Sequence, residues 1–426
     1  MTALFIAHGH PTFNKGGAEI AAYRLFQAMR SCDGWEQSAF LAAAPDDAMF
    51  KPGCQVLGLS DHQWLVKRST DPLLHDTAIN LTRGVHGFLF EALSSLNPKI
   101  IHIHHYVHIG LDLIHALKQW FPEAKTILTL HEYWGMCPYE GRLLTSMGTF
   151  CDGPEPDACV RCLGERYRLK LAIRRLRIQH FFSVVDHFIS PSYFLKQRYV
   201  DWGIADEKIS VIENLPLPGG QESLIASPDD LSRSVQKDSI CFAYFGQMNR
   251  WKGIDLILEA FKLLLARYPD VRLELHGLSQ QMLYEDNSHL NNSFICNCRE
   301  LLKSMPMGSV HLMGIYEPEE ISHRMQSVDV MVMASRWYEN SPMVIQEAFG
   351  HGVPVVAPDL GGMAQKITNH KTGLLYKAGN AEALVHSLSL IIDNLELLQE
   401  MKFCAKESAP SFELILESHR SLYDKR

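Results

Sequence analysis

The 426-residue sequence contains no stretch near the roughly 20 consecutive apolar residues needed to cross a bilayer. It also lacks a basic segment leading into an apolar run at its start, so we expect a cytoplasmic protein. No excess of positive charge is present, because 48 acidic side chains outnumber 40 Lys and Arg and the formal charge is -8. The chain as a whole therefore does not attract nucleic acid, and any polyanion must be met locally. No Asp-x-Asp triplet occurs, which removes the carboxylate pair most suited to holding a divalent ion on a phosphorylated substrate and predicts chemistry without a metal. G-x-G-x-x-G is missing too, which disfavours a dinucleotide oxidoreductase.

What is present is ordinary globular composition, with 46% hydrophobic and 21% charged residues, in a chain too long for one core. Short apolar runs alternate with helical periodicity, the pattern of a parallel sheet flanked by helices. Leu4–Ala7, Ile100–His104, Thr126–Leu130 and His187–Ser190 read as strands, and Ala18–Arg30, Ile79–Leu96, Leu111–Trp120 and Tyr193–Asp201 as helices. Between residues 214 and 238, Pro216, Pro218, Gly219, Gly220 and Pro228 break the pattern, and this stretch reads as a linker. Alternation restarts with strands at Ile240–Phe245, Arg272–His276, Val310–Met313, Val330–Ala334 and Val353–Ala357, and helices at Ile254–Leu265, Met343–Phe349 and Ala381–Asn394. The expected architecture is α/β, with two Rossmann-like doubly wound domains facing a cleft: residues 1–213, then 239–408. A helix in 409–426 would pack back on the first domain.

Three segments carry chemistry. In Glu339-Asn340-Ser341-Pro342-Met343-Val344-Ile345-Gln346-Glu347, two carboxylates stand eight positions apart after a strand and into a helix. Ser341 and Pro342 suit the cap and first helical positions, so first-turn amides would face a ligand. Glu339 could then grip vicinal hydroxyls of a sugar, and Glu347 another polyol such as ribose. An acidic cap with a surface Glu is the plain alternative. Gly246-Gln247-Met248-Asn249-Arg250-Trp251-Lys252-Gly253 follows a strand and precedes an amphipathic helix, a phosphate site by geometry, with Lys252 as point charge and Arg250 as fork. Gly16-Gly17, between the first strand and first helix, would let backbone approach a phosphate.

Together with the strand-end pair His131-Glu132 and the Gly361-Gly362 loop after Pro358, these segments resemble the family 4 glycosyltransferases, retaining enzymes of GT-B architecture with an E-x7-E motif. The resemblance spans nearly the whole chain. It implies a nucleotide-sugar donor, UDP- or GDP-linked, held mainly by the C-terminal domain. A glycan or polyprenyl-diphosphate-linked acceptor would sit mainly on the N-terminal one. Carried over, Lys252 would neutralise the donor diphosphate, Glu339 hold the donor sugar, Glu347 hold the ribose, and His131 sit beside the reacting sugar. Asn340, Ser341, Pro342 and Met343 would line sugar and phosphate through backbone groups. Many members have Arg directly after the first glycine of the turn; here that place is Gln247, and Arg250 is the substitute. The activity implied is hexosyl transfer in bacterial surface-polysaccharide assembly. A nucleotide-sugar epimerase and a non-enzymatic bilobal sugar-binding protein are the alternatives on the same scaffold.

Two further clusters stand out. Cys137, Cys151, Cys159 and Cys162 are spaced C-x13-C-x7-C-x2-C in a glycine- and proline-rich excursion. Four thiolates there could close a structural zinc site, iron-sulfur ligation has the same ligand count, and free thiols are the remaining option. Residues 161–177 carry seven basic side chains against one acid, and Leu169, Ile173 and Leu176 form an apolar stripe. That segment could rest on anionic headgroups at the inner face of a membrane, or be a solvated face. His102, His104, His105 and His108 suggest a metal, but buried hydrogen-bonded histidines are the expected outcome.

Overall fold

The computed structural model describes residues 1–69, 71, 73–83, 87–151, 153–217, 239–284 and 293–425. The chain divides into two compact units, Met1–Leu215 with Glu413–Arg426, and Pro216–Phe412. Most of the expected linker lies outside the described residues.

In the first unit the strands are β1 (Ala3–Ala7), β2 (Ala39–Ala43), β3 (Val56–Ser60), β4 (Gln63–Val66), β5 (Ile100–Ile103), β6 (Lys125–Thr129), β7 (His187–Ser190) and β8 (Ile209–Val211). Their order is β3-β4-β2-β1-β5-β6-β7-β8. Every pairing is parallel except β3 with β4. All five residues of β1 are buried, as befits a strand covered by helices on both faces. The chain runs outward from β1 to one side through β2 and β4, then to the other through β5 to β8. This places the topological switch point between β1 and β5, where α/β sheets bind ligands at their strand C-termini.

The second unit repeats the logic with β9 (Cys241–Phe245), β10 (Arg272–His276), β11 (Val310–Leu312), β12 (Val330–Val332), β13 (Val355–Pro358) and β14 (Gly373–Tyr376). Their order is β11-β10-β9-β12-β13-β14, parallel throughout, so the switch point lies between β9 and β12. The helix Ile254–Leu265 buries eight of its residues against this sheet, with Phe261 edge-on to Phe242 at 6.4 Å. That apolar face anchors its N-terminus beside the switch point.

The helix Phe412–Asp424 belongs to the first unit. The Tyr423 hydroxyl meets His102 Nδ1 at 2.7 Å, and Lys125 Nζ donates to the Leu422 carbonyl at 2.6 Å.

One expected element is much shorter. Of Ile79–Leu96 only Phe88–Ser94 is helical among the described residues, with Gly87 as its cap. Upstream, Asn80 Oδ1 accepts from the Thr82 amide, a local side-chain bond that competes with helix formation.

Candidate functional site

The two loops flanking the second unit's switch point form one polar cluster. After β9 the chain turns through Gly246, and Asn249 Oδ1 accepts from the amides of Trp251 and Lys252, each at 3.0 Å. This caps a short 3-10 turn, Arg250–Lys252. Gly253 follows in the left-handed region at φ 69°, and a Cβ there would lie 2.0 Å from the Ala334 carbonyl oxygen. Only glycine lets this loop press against the end of β12. Arg336, just beyond β12, locks the pair of loops by donating its amide to the Trp251 carbonyl at 2.7 Å and its guanidinium to Asp255 at 3.0 Å.

Lys252 is thereby aimed at Glu339. Its Nζ lies 2.6 Å from Glu339 Oε1, which also accepts from Ser335 Oγ at 2.7 Å and Trp337 Nε1 at 3.0 Å. Burial by itself would raise the Glu339 pKa, but the Lys252 charge and these bonds outweigh it and hold the carboxyl below its ordinary value. All three donors converge on one oxygen and fix the carboxylate, with Oε2 unbonded among the described residues.

Behind the loop, the Gly362 amide donates to the Glu339 carbonyl at 2.9 Å, and a Cβ on Gly362 would stand 1.5 Å from the Asn340 carbonyl oxygen. The Gly361-Gly362 pair therefore makes room for the Glu339–Asn340 backbone. The following helix, Met343–Gly350, differs from expectation at its start: Pro342 is the cap residue, and no side chain caps it. Ser341 sits one position earlier, nine-tenths buried, with its Oγ unpartnered among the described residues. Proline there sets the chain's entry with no side-chain oxygen to offer, which leaves the Ser341 hydroxyl directed elsewhere. Glu347 is half-buried on this helix, and its charge adds to burial, the larger cause, in raising the Tyr316 pKa. Arg250 is not brought to the cluster's carboxylate; it is exposed and lies over the Trp251 ring at 4.9 Å.

Gly16, Gly17 and His131 belong to the first unit. Gly16 caps the helix Gly17–Arg30, and a Cβ on it would collide with the Glu19 carboxylate at 2.4 Å. Glu19 is buried and pairs with His8 Nε2 at 3.0 Å. Burial opposes both charges, yet their mutual attraction wins, raising His8 and lowering Glu19. His131, past the end of β6, faces His104 Nδ1 at 3.0 Å and is pushed down to about 3 by burial and the His8 charge. Beside it, burial lifts Glu132 to about 7. His102 and His104 are buried with their tilted rings 4.2 Å apart, His102 hydrogen-bonded to Tyr423 and Thr129 and His104 to His131, as expected of core histidines. A cavity of about 450 Å³ opens at this sheet edge, lined by residues that follow β1, β2, β4, β5 and β6, including His8, Phe13, Arg68, His108, Glu132 and Trp134.

Cys137, Cys151, Cys159 and Cys162 lie in the excursion that follows β6. Among the described residues no three His, Cys, Asp or Glu side chains are grouped to hold a metal ion. The thiols do gather: burial, then Cys137, Cys151 and Cys162 in turn, push Cys159 up to about 12. Cys137 instead directs its Sγ to the Tyr139 carbonyl. The basic segment is also largely spent internally. Arg168, Lys170, Arg175 and Arg177 pair with Asp157 and Glu165, Asp71, Glu155 and Asp76, respectively. Arg174 is buried, donating to the Gly135 and Trp134 carbonyls. Leu169 and Leu176 stay about three-quarters exposed.

Two Rossmann-like units with parallel sheets define the GT-B class. A family model described as "Glycosyltransferase Family 4" matches residues 15–215, and one described as "Glycosyl transferases group 1" matches residues 229–408. The chain belongs to the family 4, group 1 glycosyltransferases. It is 28% identical over 196 residues to a D-inositol 3-phosphate glycosyltransferase of Paenarthrobacter aurescens, covering 44% of this chain and 45% of that protein. The chain spans about half the length of several curated relatives it matches. It is 23% identical to the N,N'-diacetylbacillosaminyl-diphospho-undecaprenol alpha-1,3-N-acetylgalactosaminyltransferase of Campylobacter jejuni, covering 78% of this chain and 83% of that one. Its fold matches a crystal structure of Anabaena HepE in complex with UDP and glucose, with a TM-score of 0.64, 15% identity and 99% of each chain covered.

Among the described residues no helix is long and apolar enough to cross a membrane.

Proposed function

We propose that the protein is a retaining glycosyltransferase that moves a hexose-type sugar from a UDP- or GDP-sugar to a glycan or polyprenyl-diphosphate-linked acceptor in bacterial surface-polysaccharide assembly. The observation that carries this reading is the Lys252–Glu339 pair at the switch point of the second unit. In the reaction the bond from the anomeric carbon to the diphosphate oxygen breaks, and the oxygen keeps the electron pair. The acceptor hydroxyl forms the new bond on the same face and gives up its proton to the departing phosphate. Negative charge grows on the diphosphate as the bond breaks, so a fixed ammonium there stabilises the transition state more than the ground state. Lys252 supplies it. Glu339 Oε2 accepts hydroxyls of the donor sugar, Glu347 holds the ribose, and the buried Ser341 hydroxyl and the backbone of Asn340, Pro342 and Met343 line the sugar and phosphate. His131, neutral at physiological pH, is assigned the place beside the reacting sugar.

HepE, solved with UDP and glucose, supports the donor class, and the name of the Campylobacter relative supports a lipid-diphosphate acceptor. The exposed Leu169, Ile173 and Leu176 support peripheral membrane contact through residues 161–177. The test is a panel of UDP- and GDP-sugars with lipid-linked acceptors. Glu339→Ala should abolish transfer while the fold is kept, and a fully active variant would refute its role.

A further inference from the structure

The cavity of the first unit has an uneven wall. Five strands end at it, so its lining comes from loops held by the sheet rather than from one mobile segment. Its carboxylates are already engaged: Glu19 lies behind it on His8 and Asn14, and Glu132 on its rim is bound to His105 Nε2. Asp47 Oδ1 accepts from the backbone amide of Arg68, at 3.2 Å. The Arg68 guanidinium has a different partner. Its Nη2 donates to His108 Nε2 at 2.7 Å, and among the described residues no carboxylate pairs with it.

His108 is built for that task. It occupies the left-handed region at φ 66°, an uncommon conformation for a residue with a side chain. The Ser69 amide donates to its carbonyl at 2.8 Å, stitching the loop after β4 to the loop after β5. Burial first, and then the Arg68 charge, lowers its pKa to about 4, so the ring is neutral and its Nε2 accepts. The result is a cation placed at a cavity wall with most of its N–H groups unspent among the described residues. Phe13 and Trp134 line the same cavity, aromatic side chains of the kind that pack on the C–H face of a sugar ring.

We propose that this cavity selects an acceptor sugar bearing an oxyanion, phosphoryl or carboxylate, which docks on Arg68 while its ring lies against Phe13 and Trp134. The inference rests on the transferase reading and names the acceptor chemistry within it. A planar guanidinium matches either oxyanion through paired N–H bonds. Arg68 is a specificity-determining residue, and His108 positions it.

The test titrates the full-length protein, saturated with UDP or GDP, with three probes at fixed ionic strength: a neutral methyl glucoside, the corresponding methyl glucuronide, and glucose 6-phosphate. At least one charged probe should bind about tenfold or more tightly than the neutral one. Preference for the glucuronide assigns a carboxylate, and preference for the phosphate assigns a phosphoryl group. R68Q should erase the preference, R68K should keep part of it, and H108A should weaken it, all with hydrogen-exchange protection of the first unit's β1 and β5 unchanged as the check on folding. Equal binding of the three probes, no binding of either charged probe, or a preference that survives R68Q overturns the inference. A protein that binds neither UDP nor GDP would instead sink the transferase reading on which it rests.

Discussion

Replacing Lys252 by Met should destabilise the second unit and invert the sign of its pH dependence. The substitution deletes a charge and one of three bonds to Glu339 Oε1, leaving a buried carboxylate on Ser335 and Trp337. Removing one partner of a buried pair typically costs about 3–5 kcal/mol. Two donors survive and Lys252 is itself a quarter exposed, so the loss should be ~2–3 kcal/mol. In the native protein Glu339 has a lowered pKa, so its contribution is fully present above the ordinary value of 4.5 and is lost as pH falls through the folded value. Without Lys252, burial is no longer outweighed and the pKa rises above that of the unfolded chain. The native state then binds more protons than the unfolded one, and stability falls as pH climbs past 4.5. Adding Glu339→Gln to this background should remove the pH slope and recover roughly 1–2 kcal/mol, so that a double-mutant cycle reports a coupling of at least that size. Because the two units need not unfold together, hydrogen exchange of the Met343–Gly350 helix across a urea series reads this unit by itself. An unchanged pH slope in K252M, or additive single and double variants, would refute the argument.

Other consequences follow from close contacts and thiol ionisation. Gly362→Ala should displace the Glu339–Asn340 backbone, because its Cβ would fall 1.5 Å from a carbonyl oxygen; transfer should drop by an order of magnitude or more with a stability loss of about 1–3 kcal/mol. Turnover and urea unfolding check both. Cys159, raised to about 12, should react with iodoacetamide at pH 8 far more slowly than a free thiol, as peptide mass mapping would show. Changing Leu169, Ile173 and Leu176 together to Ser should lower sedimentation with anionic liposomes several-fold and leave nucleotide binding intact.

The fold was legible where strands are continuous apolar runs. Ala3–Ala7 and Cys241–Phe245 lie within a residue of their expected bounds, because a strand covered on both faces must be apolar throughout, and Arg272–His276 matches through its alternating buried Leu273 and Leu275. Ala39–Ala43 escaped notice: it is alanine-rich, and alanine has little strand preference. The strand Gly373–Tyr376, four residues opening on a glycine, is too short to stand out. In the site, Glu339 and Lys252 could be picked out because each lies in a segment with a clear strand-loop-helix setting. Ser335 and Trp337 could not, since their bonds to Glu339 depend on the turn that folds residues 335–339 over themselves. The pairing of Arg68 with His108 was equally hidden. They are 40 positions apart, and only the pairing of β1 with strands on both sides brings their loops to one cavity.

The central claim is that the second unit holds the diphosphate of a nucleotide sugar on the Lys252 ammonium. Calorimetric titration of UDP and GDP, alongside uridine and guanosine, into native protein and Lys252→Ala tests it most directly. The account predicts that the matching nucleoside diphosphate loses about tenfold or more in affinity in the variant, while its nucleoside binds equally to both proteins. Undiminished diphosphate binding by Lys252→Ala would contradict it.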